Sequence, residues 1–132
     1  MKRTMLHIHR KFMRSRLPIH GGSINHINPK VVEAISLYVS LIKSAFPESI
    51  CQVVLFGSYV RGEGGPESDV DIMVIATDDT WETEYRLITM GYRIFLEMGV
   101  FLSVKVRTQG EFNQSGKIFF LDHVKKEGVV VG

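Results

Sequence analysis

Apolar positions recur along this chain with two different periods, and each period predicts a different kind of element. Val31, Ile35, Tyr38, Val39, Ile42 and Phe46 return every three or four residues, the spacing that lines one face of an α-helix. Asn28 and Pro29 supply an N-cap and a first helical residue, and Pro47 a stop. Residues 51–56 are apolar apart from Gln52, which is the pattern and length of a strand buried on both faces. In that context Cys51 reads as a small buried hydrophobe. Tyr59 opens a short helical stretch that Gly62, Gly64, Gly65 and Pro66 cut off, and residues 70–76 form a second apolar strand.

A second helical stripe, Trp81, Tyr85, Ile88, Tyr92 and Phe95, spans residues 81–98, with Asp78, Asp79 or Thr80 as N-cap and Gly99 as C-cap. Aromatic residues at that spacing are expected in the core rather than as a stacking platform for bases. Residues 100–107 alternate: Val100, Leu102, Val104 and Val106 point one way, Phe101, Ser103, Lys105 and Arg107 the other. Residues 112–116 read as a loop, 118–127 as a short helix closed by Gly128, and 129–131 as a terminal strand or a tail. The pattern predicts an α/β (α+β) fold, a small mixed sheet of three to four strands with helices packed mainly on one face.

Charge divides the chain where the apolar pattern begins. Lys2, Arg3, Arg10, Lys11, Arg14, Arg16 and Lys30 all precede the first acid, Glu33, whereas nine basic and fourteen acidic residues follow residue 30. Residues 1–28 are therefore expected to form a basic, flexible extension and residues 29–132 the folded domain. Such an arm can hold a phosphate backbone, but solvation is its commoner role. No apolar run approaches the ~20 residues of a membrane span. The lone cysteine cannot form an intrachain disulfide, and a reducing, cytoplasmic setting is the default expectation.

The chemistry concentrates between residues 53 and 75. Asp69 and Asp71 lie two apart on a strand, so both carboxylates project from one face, roughly 7 Å apart along the chain. Like charges so placed are costly unless solvated or neutralised, and Mg²⁺, held by one or two carboxylates and substrate phosphates, is a natural neutraliser. Gly57-Ser58, between a strand and a helix start, presents backbone N–H groups and a hydroxyl to an anion. Each feature alone has a plainer reading: a solvated turn for the acids, a helix-capping serine for Ser58.

Their combination is more specific. Leu55-Phe56-Gly57-Ser58, Arg61-Gly62, Ser68-Asp69-Val70-Asp71 and Ile72-Met73-Val74, with ten residues between Gly-Ser and Asp-x-Asp, resemble the signature of minimal nucleotidyltransferases of the DNA polymerase beta-like superfamily. The likeness runs from about residue 29 to residue 131 and includes the Phe-Phe…Lys-Glu-Gly ending at Gly128. It implies that Gly57 and Ser58 hold the β- and γ-phosphates of ATP, with Ser68 beside them, and that Asp69 and Asp71 bind Mg²⁺ and carry the catalysis. It implies transfer of AMP to a hydroxyl. Arg61 would either touch phosphate or pair with Glu63 or Glu67. Small standalone members resemble antitoxins that pair with HEPN-domain toxins, so a HEPN-domain partner or a homodimer is expected to supply the acceptor surface. The sequence departs from the pattern at one point. Active members place a third carboxylate on the next strand, where this chain has Phe101 and Ser103, with Glu97 as a poor substitute and Lys105 and Arg107 favouring an anion. The alternative expectation is a nucleotide- or partner-binding module with little catalysis.

Overall fold

The computed structural model describes residue 24 and residues 26–65, 67–114 and 119–132. Helix α1 (Pro29–Ala45) is followed by β1 (Ile50–Phe56), β2 (Val70–Ala76), α2 (Trp81–Met98), β3 (Leu102–Thr108), α3 (Gln109–Asn113), α4 (Phe119–Glu127) and β4 (Val129–Val130). The four strands form one mixed sheet in the order β3-β2-β1-β4. β2 runs antiparallel to β1 and parallel to β3, and β4 pairs antiparallel with β1 at the far edge.

The expected start signals act as caps. The Asn28 side chain accepts a hydrogen bond from the Lys30 N–H, Thr80 caps α2 by accepting from the Thr83 N–H, and Gly99 ends α2 in the left-handed region at φ +72°. The two central strands are buried on both faces, which is why they read as continuous apolar runs. Val53, Leu55, Ile72, Val74, Leu102 and Val106 meet α1 and α2 on one face. Val54, Phe56, Met73 and Ile75 meet Phe112, Leu121 and Val124 from the short α3 and α4 on the other. The two long helices thus share a face, as expected, and a smaller second core lies behind the sheet. Tyr38, fully buried on α1, donates to the Leu87 carbonyl of α2 at 2.8 Å and ties the long helices together.

Four expectations are corrected. The aromatic stripe of α2 is not core: Trp81 is 75 % and Tyr85 64 % exposed, and Ile88, Tyr92 and Phe95 are also exposed. The helix buries Leu87, Gly91 and Ile94 instead. Gly91 explains the choice, because its bare Cα lets α2 close on β3; an added Cβ would lie 3.1 Å from Val104 Cγ2. Cys51 is exposed while Gln52 is buried, because a bulge between Ile50 and Gln52 leaves Cys51 opposite no partner on β2 and turns it outward. Residues 109–113, read in part as loop, form α3, set by a capping box in which Thr108 and Glu111 satisfy each other's backbone N–H groups. After Tyr59 there is no helix, only overlapping turns that hang from the Gly57, Ser58 and Tyr59 carbonyls.

Residues 129–131, left open between strand and tail, include β4, which pairs with Val54 and Leu55. Most of the expected basic extension lies outside the described residues; of its last residues, Ile27 is buried and His26 Nε2 lies 2.7 Å from the Tyr59 carbonyl oxygen. No helix among the described residues is long and apolar enough to cross a membrane.

Candidate active site

Strand register decides where the site lies. Asp71 is the partner of Phe56 on β1 and of Ser103 on β3, so the end of β1 and the first residues of β2 and β3 meet at one edge of the sheet. Gly57 follows Phe56 at φ +84°, a conformation that suits glycine, and turns the chain over the Asp71 carboxylate. The approach is so close that a Cβ at Gly57 would overlap Asp71 Oδ2. The Gly-Ser turn and the acidic strand, separate in sequence, are therefore packed against each other.

Asp71 lies on the α4 side of the sheet, opposite Val70 and Ile72, as the period of two requires, and Asp69 just before β2 is close enough for its charge to act on Asp71. Asp69 is exposed and Asp71 half-buried. Among the described residues neither carboxylate has a hydrogen bond or ion pair. Burial pushes the Asp71 carboxyl above its ordinary value, and the charges of Asp69 and Glu127 push the same way; Lys105 and Arg61 oppose them. An unpaired, partly desolvated carboxylate beside a second one suits a hard divalent cation held by both and completed by phosphate oxygens. No cluster of three or more His, Cys, Asp or Glu suited to a metal occurs among the described residues. The residues present fit one such ion. Glu97, the substitute weighed for a third acid, is turned to solvent and pairs with Arg93 at 3.4 Å.

Arg61 pairs with Glu63 at 2.9 Å, one of the partners the sequence suggested, and also with Glu127 at 3.1 Å. Glu127 is the residue the sequence reading missed. It is the last residue of α4, and its Oε1 accepts the Gly57 N–H at 3.0 Å, so α4 is tied to the Gly57 turn. Gly128 makes this possible: a Cβ there would stand 2.5 Å from the Val124 carbonyl and 2.6 Å from Val54 Cγ1. The Glu-Gly pair of the family-like ending was visible, but nothing local in it points to a turn seventy residues away. Replacing Glu127 with Ala removes a charge-assisted hydrogen bond to a part-buried N–H, and we expect a loss of about 1–3 kcal/mol in urea denaturation.

Ser68 is used locally, its Oγ accepting from the Gly65 N–H at 2.9 Å, while the Tyr59 hydroxyl donates to the Gly65 carbonyl at 2.7 Å. These bonds shape the β1–β2 loop beside a cavity of about 540 Å³ lined by Lys30, Tyr59, Ser68, Asp69, Phe95 and Phe101. The cavity opens next to Asp69, and Phe95 and Phe101, with ring centroids 5.6 Å apart, continue it into the exposed face of α2.

The nucleotidyltransferase domain family matches residues 37–126. Two archaeal proteins of Methanocaldococcus jannaschii are similar over most of the chain. "Putative protein adenylyltransferase MJ0604" is 32 % identical over 99 residues, covering 75 % of this chain and 95 % of that protein. "Putative protein adenylyltransferase MJ0141" is 27 % identical over 103 residues, covering 77 % and 99 %. A solved structure titled as that of a putative nucleotidyltransferase from Sulfolobus solfataricus has 18 % identity and a TM-score of 0.48, covering 78 % of this chain and 86 % of that one. With a glycine turn packed on a paired-aspartate strand and a family match from α1 to α4, the chain belongs to the nucleotidyltransferase domain family.

Proposed function

We propose that the protein transfers AMP from ATP to a hydroxyl group of another protein. The observation that carries this reading is the packing of the Gly57 turn onto Asp71, which brings the Gly-Ser turn and the paired aspartates together at one end of the central strands. The Gly57–Ser58 turn holds the β- and γ-phosphates through Ser58, since the Gly57 N–H is taken by Glu127; Arg61 and Ser68 border them, and Asp69 and Asp71 hold Mg²⁺. The ion, when bound, neutralises the phosphate oxygens and so lets the paired carboxylates stand beside the triphosphate. The acceptor oxygen bonds to the α-phosphorus, the bond to the bridging oxygen breaks, and pyrophosphate leaves; the hydroxyl proton passes to water. AMP and a protein acceptor are the choices favoured by relatives named as protein adenylyltransferases.

A HEPN-domain toxin is the partner we favour, with the protein as its antitoxin in the cytoplasm. An exposed run of Trp81, Tyr85, Tyr92 and Phe95 beside the Asp69 cavity supplies the apolar surface that a docking partner needs. Incubation with Mg²⁺, ATP labelled in its α-phosphate and a HEPN-domain protein should move label to that protein, and Asp69→Ala should abolish the transfer. Equal labelling by wild type and variant would sink the reading. A second reading, a nucleotide- or partner-binding module, is favoured by one observation: the β3 residue paired with Asp71 is Ser103, which cannot serve as a third carboxylate. Calorimetry showing ATP bound in the presence of Mg²⁺ without turnover would select it.

A further inference from the structure

The face that Asp71 shares with β3 holds a cation. Ser103 stands directly beside Asp71, and the next residue on that face is Lys105, paired with Met73. Its ammonium lies 5.9 Å from the centroid of the Phe56 ring. Phe56 is on β1 and is the β1 partner of Asp71, with β2 between it and β3. Lys105 is on β3 and Phe56 on β1, so their side chains meet over β2, on the face that Asp71 and Met73 share. Lys105 forms no ion pair among the described residues, and its charge is the strongest influence opposing burial at Asp71. It is fixed at its base by strand pairing, and its tip is engaged only by the Phe56 ring.

We propose that the Lys105 ammonium contacts the phosphate being transferred and takes the place of a second metal ion, so that the site works with one divalent cation. Three observations converge on it: two carboxylates rather than three, a serine beside Asp71, and a lysine on the same face whose ammonium meets Phe56, the β1 partner of Asp71. A lysine is suited to the task as a compact charge with three donors on a flexible stem. As the bond from the α-phosphorus to the bridging oxygen breaks, negative charge grows on the oxygens around it, where a fixed positive charge lowers the barrier. The inference rests on the nucleotidyl-transfer reading and goes beyond it in naming the groups that balance the charge.

The test uses the full chain, Mn²⁺ and an ATP analogue with a methylene bridge between the α- and β-phosphorus. Electron paramagnetic resonance should count one Mn²⁺ per wild-type chain with saturating analogue, and two in Lys105→Glu, which adds a third carboxylate on the face that Asp71 and Ser103 share. Lys105→Met, close in shape but uncharged, should weaken analogue binding at least tenfold, while Lys105→Arg stays within about threefold. Two Mn²⁺ in the wild type, no second ion in Lys105→Glu, or unchanged affinity in Lys105→Met would each overturn the proposal. If wild type and variants alike fail to bind the analogue, the nucleotide reading falls with it; if only Lys105→Met is without effect, that reading stands and this one fails.

Discussion

Asp71→Asn should remove nucleotidyl transfer by on the order of 10²–10³-fold or more while making the metal-free protein more stable at neutral pH. Both effects come from one cause. The Asp71 carboxylate is half-buried, lies against Gly57, stands near Asp69 and Glu127, and has no hydrogen bond or ion pair among the described residues. Its folded-state pKa is raised, so the sign runs against the ionised form: the carboxylate costs stability wherever it is charged. At acid pH, where Asp71 is protonated folded and unfolded, it costs nothing. As pH rises past the unfolded pKa the cost appears, and it is complete once the raised folded pKa is passed. Asparagine keeps the shape and drops the charge. Thermal melts in metal-free buffer should place Asp71→Asn above wild type near pH 7, with the gap closing on acidification. A melt at or below wild type at neutral pH would show that Asp71 is held by favourable contacts. Addition of Mg²⁺ with nucleotide should raise the melting temperature of wild type more than that of the variant, since only wild type offers both charges to the cation.

Gly57→Ala should be the most damaging single methyl that can be added to the site. The position is strained for any L side chain at φ +84°, which costs about 1–3 kcal/mol, and the new Cβ must also displace the Asp71 carboxylate. We expect lower stability together with a loss of transfer of about 100-fold or more, because an active-site group moved by ~1 Å loses that much. Gly62→Ala is the control. Its φ of +77° imposes similar strain, but the nearest atom to a Cβ there is His26 Cδ2 at 3.8 Å, an ordinary contact. Gly62→Ala should lose stability and keep most of its activity. If the two variants lose activity equally, backbone strain and not displacement of Asp71 is the cause.

The sequence by itself determined a good deal of this protein. Apolar runs and periods placed α1, β1, β2, α2, β3 and α4 to within a few residues, because side chains along each element repeat with that element's own geometry, whichever face is buried. Asn28, Thr80 and Gly99 marked ends because capping is chemistry between near neighbours. The Gly-Ser turn and the two aspartates were legible for the same reason, each being a local feature whose spacing fixes its own geometry. What the tertiary structure alone decided is everything that depends on which surfaces meet. A helical period reveals a stripe but not whether the stripe faces the sheet; on α2 the small residue Gly91 won the close approach and left Trp81, Tyr85 and Tyr92 outside. A bulge shifted Cys51 outward in a run that looked uniformly buried. Glu127 reaching Gly57, and Lys105 meeting the Phe56 ring, join residues far apart in the chain. Such contacts are set by sheet order and register, which no local pattern encodes.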